Sequence, residues 1–289
     1  MLNKKISIVV PFFNGNEYIN RLLNSVCEVL ESCKTNISLD VIIVNDSPKV
    51  RVNVNGEYRD KLNISIIEND NNLGIQKTRI RGLKYAKGDW IIFLDQDDEL
   101  IADGFNTQIN LCEGDVDVVL GNGFYQFDSK ERKIYKTKYE MKYLARKPIL
   151  IGIRNIIPSP GECLIKKESI PDKWQNEPLS TNGSDDWLLW ILMSEKKWVT
   201  NSEIVYRHNN VDGNNLSLNL DKMYLSSVEM LSKLDENLNS KELEKLRRSI
   251  VFKYLKDTGK LRLLDYLHFW REVVRNSIYK INRFLLSIG

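Results

Sequence analysis

The chain of 289 residues is 42% apolar and 28% charged with a net charge of +3, which provides for one substantial core, leaves room for a smaller appended unit and marks an ordinary globular protein. Its N-terminus, MLNKKISIVVPFFN, lacks the long apolar stretch and small-residue cleavage site of a signal peptide, and no apolar run reaches the length of a membrane span. A cytoplasmic protein is therefore expected, in which Cys27, Cys33, Cys112 and Cys163, without a CxxC pair, are buried or incidental thiols.

The first hundred residues alternate between two periods. KISIVVPFF is a short β-branched run, and EYINRLLNSVCEVLESC then places Ile19, Leu22, Leu23, Val26 and Leu30 at helical spacing. LDVIIVND and NISIIEN read as a second and third strand, IQKTRIRGLKYAKG as a helix closed by Gly88, and WIIFLD as a fourth strand. Nearly continuous apolar strands interleaved with helices predict an α/β fold, a mostly parallel, Rossmann-like sheet flanked by helices. A further helix and strand follow over residues 101–127, whereas residues 128–150 are basic and weakly periodic and predict a mobile excursion. In STNGSDDWLLWILMSEKKW, Ser184 or Asp185 is placed to cap a helix beginning near Asp186. Residues 218–289 form a helical extension, with Asn239 and Glu242 spaced as a capping box. This extension is basic: residues 245–289 hold 11 Lys and Arg against 3 Asp and Glu, leaving 31 against 36 elsewhere.

The fourth strand runs into Asp95, Asp97, Asp98 and Glu99. Ligands of parallel sheets bind beyond the carboxyl ends of the strands, and Asn14, Asn45 and Asp46 close the first two strands, so these polar groups converge on one edge. Asp95 and Asp97, two apart at a strand end, can reach one small volume. Their repulsion is relieved by a cation, and hard oxygen ligands favour Mn²⁺ or Mg²⁺. An EF-hand calcium loop is excluded, because Leu100 stands where that loop needs glycine. Asp98 and Glu99 are read as a solvated first helical turn, where acids are favoured.

The segments SIVVPFFN, VIIVNDS, NNLGIQKTRIRGLKYAKGDWIIFLDQDDEL and GSDDWLLWIL, in that order, resemble the family-two inverting glycosyltransferases of the GT-A fold, closely over residues 5–100 and more loosely over 155–217. The resemblance implies a catalytic domain over residues 1–217, with a nucleotide-binding half at 1–100 and an acceptor half at 101–217. It also implies metal-dependent transfer of a sugar from a nucleotide donor, UDP first among them, to a glycan or lipid-linked glycan in bacterial capsule, lipopolysaccharide or exopolysaccharide synthesis. On that basis Pro11, Phe13 and Asn14 line the nucleotide pocket, Glu17 assists from the following helix, and Asp46 accepts the uracil N–H, as a carboxylate can. Asn72, Gly74 and Arg79 match a segment that usually ends in Ala-Arg-Asn; here Thr78 and Ile80 flank Arg79, which keeps the cation and loses the polar contact at position 80. Asp95 faces the ribose or helps the metal, Asp97 is its direct ligand, Arg207 meets the diphosphate, and His208 is a further ligand or diphosphate contact. Structural alternatives are turn formation for Asn14 and Asp46, a surface ion pair for Arg79 and a simple hydrogen-bonding role for His208.

An inverting displacement needs a base at the acceptor hydroxyl and charge neutralisation at the leaving diphosphate. GSDDWLLW matches the family's Glu-Asp pair followed by an aromatic residue and Leu-Trp, which implies Asp186 as base and Asp185, in the glutamate position, orienting the acceptor or capping the helix. Capping alone is the alternative for both. Trp187 and Trp190 divide between sugar stacking and core, and SPGECLI, residues 159–165, supplies a turn near the acceptor. Two other classes stay open: a sugar nucleotidyltransferase, which would carry a Gly-rich phosphate loop where PFFNGNEYINR has only Gly15, and a non-catalytic nucleotide-sugar-binding protein, for which Asp186 would be dispensable. The basic tail suits peripheral contact with the inner face of the cell membrane, or packing on the catalytic domain or on a second subunit of a homo-oligomer. Few aromatics and an acidic body argue against nucleic acid.

Overall fold

The computed structural model describes residues 4–33, 36–127, 130–209 and 218–285. They group into two compact units: Met1–Lys138 with Ser159–Ile170 and Lys196–Val211, and Tyr139–Pro158 with Pro171–Glu195 and Asp212–Gly289. This grouping follows compactness, whereas the sequence division at residue 217 follows the reach of the family resemblance; residue 217 itself lies outside the described residues.

The first unit contains β1 (Lys4–Phe12), α1 (Ile19–Ser32), β2 (Ile37–Asn45), α2 (Gly56–Lys61), β3 (Asn63–Glu68), α3 (Ile75–Tyr85), β4 (Trp90–Phe93), β5 (Glu99–Leu100), α4 (Ala102–Asn110), β6 (Val118–Phe127), β7 (Lys130–Lys133), β8 (Cys163–Lys166) and β9 (Trp198–Asn209). Residues Ile6 to Val10 of β1 are all buried, as expected of a strand covered on both faces. α1 turns Ile19, Leu22, Leu23, Val26 and Val29 inward; Leu30, expected in that stripe, sits at its margin. The sheet runs β3-β2-β1-β4-β8-β6-β9-β5, with β7 on β6. β1–β4 are mutually parallel, β6 and β9 share their direction through antiparallel β8, and β5 and β7 run against them.

Two expectations are corrected. α3 ends at Tyr85, with Ala86 already extended, so Gly88 does not close it. A Cβ on Gly88 would lie 2.5 Å from the Ser7 nitrogen, and its own N–H donates to Ser7 Oγ at 2.7 Å; the glycine permits close passage over β1. Residues 130–150 are also more ordered than their weak periodicity suggests. After β7, Asn122 clasps Tyr135 through Nδ2 to its carbonyl at 2.9 Å and through Oδ1 from its N–H at 3.1 Å. Two short helices then follow, so only residues 128–129 of this segment lie outside the described residues.

The second unit holds α5 (Lys138–Leu144), α6 (Lys147–Gly152), α7 (Asp172–Asn176), α8 (Asp185–Leu192), α9 (Leu220–Ser232), α10 (Ser240–Asp257), α11 (Leu263–His268) and α12 (Trp270–Leu285). The expected capping box opens α10: Asn239 Oδ1 accepts the Glu242 N–H at 3.0 Å, and Glu242 Oε2 accepts the Asn239 N–H at 3.0 Å. Ser184 occupies the N-cap of α8 without a side-chain cap bond; its hydroxyl meets Ser227 Oγ at 2.8 Å instead. No helix among the described residues is long and apolar enough to cross a membrane. All four cysteines are free thiols, and Cys27, Cys112 and Cys163 are buried.

Candidate active site

Register brings the strand ends of the first unit together. Phe12 is level with Asn45, the Asp46 N–H donates to the Phe12 carbonyl at 2.7 Å, and the Leu94 N–H donates to the Val9 carbonyl at 3.0 Å. The residues just beyond these points therefore share one edge. Pro11 is half-buried, while Phe13 and Asn14 are exposed. Asn14 adopts φ 52°, the left-handed conformation that asparagine tolerates, and its N–H donates to Ser47 Oγ at 2.7 Å. Gln96 ties the two sides of this edge: its Oε1 accepts the Phe13 N–H at 2.8 Å and its Nε2 donates to the Phe13 carbonyl at 2.9 Å. Glu17 is exposed in the turn before α1, not on the helix as expected.

Asp46 is buried, and its carboxylate organises the loop entering α3. Oδ1 accepts Asn69 Nδ2 at 2.8 Å and the Leu73 N–H at 2.7 Å, and Oδ2 accepts the Gly74 N–H at 3.0 Å. Asn72 Oδ1 accepts the same Gly74 N–H at 3.1 Å, where Gly74 holds φ 85°. Arg79 is not the surface ion pair considered above: it is buried, and its Nη2 meets Asp95 Oδ1 at 2.5 Å. Removing one partner of a buried pair costs about 3–5 kcal/mol, so this contact fixes the orientation of Asp95. Ile80 belongs to the core.

The largest correction concerns Asp98 and Glu99. Asp98 is wholly buried, the opposite of a solvated helix start. Its carboxylate accepts the Tyr206 hydroxyl and the Asn209 N–H at 3.0 Å, and faces His208 Nδ1 at 3.3 Å. Glu99 lies in β5, opposite Arg207 of β9, and receives Arg21 at 3.3 Å and Arg207 at 3.6 Å. Arg207 also reaches Glu131 at 3.1 Å. Burial opposes a charge on His208, but the Asp98 hydrogen bond and the charges of Asp98, Asp95 and Asp97 outweigh it and raise the imidazole to about 9. The contact with Asp98 clamps His208 through Nδ1 and favours its protonated form. Gln96, Tyr206 and Asn209 were not singled out from sequence, and Asp98 only as a solvated acid; the doubled acid followed far downstream by VYRHNN is the only trace this cluster leaves.

Asp97 is the one acid of this rim with no salt bridge from a basic side chain among the described residues. Burial first, then the charges of Asp98 and Asp95, push its carboxyl up to about 7. That combination suits a hard cation. No group of three or more His, Cys, Asp or Glu among the described residues forms a complete metal cage; Asp97 and Asp95 could provide only part of a donor set. Mg²⁺-type ions commonly complete such sets with water and substrate phosphate oxygens.

In the second unit, α8 presents Asp185 and Asp186 in its first turn. Asp185 is buried and its carbonyl accepts Trp174 Nε1 at 2.8 Å. Asp186 Oδ2 accepts Asn155 Nδ2 at 2.8 Å and Oδ1 accepts the Trp187 N–H at 2.7 Å. Trp187 and Trp190 are both core residues.

A sequence model described as Glycosyl transferase family 2 matches residues 7–172 of the chain, more than half of its length. The chain belongs to glycosyl transferase family 2. The family match contains the acidic rim from Asp95 to Glu99 and stops before Asp185, Asp186 and His208. Among relatives, an uncharacterized glycosyltransferase of Haemophilus influenzae is 37% identical over 93 residues, 32% of this chain and 29% of the relative. The poly(ribitol-phosphate) beta-N-acetylglucosaminyltransferase TarS of Staphylococcus aureus is 35% identical over 96 residues, 32% of this chain and 16% of TarS. The matches thus span less than a third of the length of either relative. The fold is that of solved GT-A structures. The S. aureus TarS 1–349 complex with UDP-GlcNAc matches with a TM-score of 0.65 at 18% identity, over 92% of this chain and 78% of that one. The mannosyltransferase PcManGT of Pyrobaculum calidifontis, in complex with GDP-Man and Mn²⁺, matches with a TM-score of 0.56 at 14% identity, over 99% and 84%.

Proposed function

We propose that the protein is a metal-dependent inverting glycosyltransferase that passes a sugar from a UDP donor to a glycan or lipid-linked glycan of a bacterial surface polysaccharide, working in the cytoplasm. The observation that carries this reading is the acidic rim beyond β4, where Asp97 is crowded by carboxylates and has no salt bridge from a basic side chain among the described residues. The UDP-GlcNAc held by TarS supports the donor class, and the complex of PcManGT with GDP-Man and Mn²⁺ supports the metal.

In this reading the edge formed by Pro11, Phe13 and Asn14 receives the nucleotide, with Gln96 holding the Phe13 backbone and Asp46 holding the Asn72–Gly74 loop that leads to Arg79. Arg79 orients Asp95 toward the ribose. Asp97 and Asp95 hold the cation, which when bound supplies positive charge against the departing diphosphate. His208 and Arg207 add cationic charge of their own at the same edge. Asp186 is the general base. The acceptor oxygen bonds to the anomeric carbon as the bond to the diphosphate breaks, and the acceptor proton passes to Asp186, while Asp185 secures the start of α8.

The test is UDP release from a panel of UDP sugars by the purified protein, with and without Mn²⁺, followed by transfer to an acceptor. Asp186→Asn is expected to lower kcat by about 10²–10⁴, the range for loss of a positioned base. Full transfer by that variant would remove Asp186 from the mechanism. Full activity in chelator would remove the metal.

A further inference from the structure

We propose that the C-terminal helices form a lipid-facing surface that seats the protein on an anionic bilayer without crossing it. The proposal rests on the surface of the second unit alone and is independent of the reaction.

α12 is turned the opposite way from an ordinary surface helix. Glu272, Tyr279 and Arg283, spaced by seven and four residues, face inward. Glu272 is only 1% exposed; it receives Arg248 Nε at 3.1 Å and Nη2 at 3.0 Å, and Arg275 Nη2 at 2.5 Å. Arg283 Nε meets Glu140 Oε1 at 2.6 Å. The opposite face carries Val274, Ile278, Ile281 and Leu285, spaced by four, three and four residues, all exposed, Ile278 at 52%. Water favours the reverse, with ions outside and aliphatic side chains inside. The buried Arg–Glu–Arg contacts hold the helix in this orientation, because rotating it would strand Glu272 and its partners. α11 continues the outward apolar surface: Leu263 is 84% exposed, with Leu264 and Leu267 similarly bare. Trp270, the first residue of α12, stands exposed, with Arg271 over its ring at 5.3 Å; aromatic residues of this kind concentrate at the membrane–water boundary.

Charge selects the occupant. Each acid of the tail is already committed: Asp257 to Lys253, Asp265 to Arg262, and Glu272 to Arg248 and Arg275. Residues 245–289 hold 11 basic against 3 acidic residues; of that excess Arg283 pairs with Glu140 and Arg247 with Glu244, and the rest stays uncompensated by the tail's own acids. A second copy would bring the same positive excess against itself, whereas an anionic lipid surface complements it. Basic residues beside an outward row of Leu, Ile and Trp are the composition of a helix lying in the plane of the interface. Sixteen residues of α12 make a helix of about 24 Å at 1.5 Å per residue, shorter than the hydrocarbon core, which agrees with lying flat.

The experiment is co-sedimentation of the full chain with vesicles of phosphatidylcholine alone and of phosphatidylcholine mixed with phosphatidylglycerol, at low and high salt. The protein is expected to pellet with the mixed vesicles, and its partition coefficient to fall about tenfold or more on pure phosphatidylcholine or in high salt. Ile278→Glu with Ile281→Glu is expected to lower partition about a hundredfold with the melting temperature unchanged. Leu264→Gln with Leu267→Gln provides a second test on the neighbouring helix. Failure to pellet with the mixed vesicles overturns the proposal. So does a dimer in light scattering that the Ile278 and Ile281 changes dissociate while the parent ignores vesicles, because the face would then belong to a second copy. None of these readouts involves UDP, so a failure here leaves the catalytic reading where it stood, and a failed transfer assay leaves this one.

Discussion

Asp97 shows how the same crowding that suits a cation costs stability in its absence. Its carboxyl is pushed up to about 7 by burial and by Asp98 and Asp95, from an ordinary value of about 3.9. Between those two values the folded chain keeps a proton that the unfolded chain has released. The stability of the neutral form is therefore fully present below the ordinary value and is lost as pH rises through about 7. Asn is a permanently neutral near-isostere, so Asp97→Asn is expected to melt higher than the parent in chelator. The gap should open between about pH 4 and pH 7 and stay level above, while Mn²⁺-dependent turnover disappears. A variant that melts lower at pH 8 would show that the Asp97 charge is compensated. The place of Asp97 on this edge was legible because it sits at the end of a recognisable strand. The burial of Asp98 was not, because Tyr206, His208 and Asn209 lie over a hundred residues away and local charge density argues for solvent. Arg79 shows the same limit: its partner Asp95 was visible in the sequence as an acid, but their pairing follows only from α3 packing on β1 and β2, with β4 paired to β1.

At the scale of elements, close helix–sheet approach is set by glycines that the sequence alone does not mark. A Cβ on Gly104 of α4 would stand 1.9 Å from the carbonyl oxygen of Ile204 in β9, and Asn201 Nδ2 fastens the Gly104 carbonyl at 2.9 Å. Backbone cannot rotate away as a side chain tip can, so Gly104→Ala must move α4 off the sheet. A loss of about 1–3 kcal/mol is expected, the usual cost of overpacking, read as a lower urea midpoint at unchanged m-value. Gly56 is the control: it lies in α2 with nothing within 4 Å of a built Cβ, so Gly56→Ala is expected to be neutral or mildly stabilising. Equal losses at both positions would contradict the packing argument. The alternation of β1 to β4 with α1 and α3 was readable because each strand is a continuous apolar run and each helix keeps its own period. The insertion of antiparallel β8 between β4 and β6 was not, since strand order depends on pairing across the chain. The ordered part of residues 130–150 was missed for a related reason. What holds it is Asn122 reaching Tyr135 and Arg283 reaching Glu140, not an internal hydrophobic period.

At the scale of the whole molecule, the chemistry assigned here is divided by unit. Pro11, Asn14, Asp46, Arg79, Asp95, Asp97, Arg207 and His208 belong to the first, and Asp185 and Asp186 to the second. A ligand stabilises the structure that binds it and not the unfolded chain, by about 2.7 kcal/mol at a hundredfold excess over Kd. For a unit of roughly 150–250 residues each kcal/mol raises the melting temperature by about 2–4 °C. UDP with Mn²⁺ in such excess is therefore expected to raise the first unit's transition by about 5–10 °C, and Mn²⁺ alone by less. If calorimetry resolves two transitions, the one belonging to the second unit is expected to stay in place, since no residue assigned to the nucleotide lies there. Asp97→Asn should abolish the part of the shift that depends on Mn²⁺ and keep the part that depends on UDP alone. Asp186→Asn should leave both intact, because a base that acts on the acceptor contributes nothing to holding the nucleotide. A UDP shift lost in Asp186→Asn but kept in Asp97→Asn would exchange the roles of the two units and overturn the assignment of the acidic rim to the diphosphate.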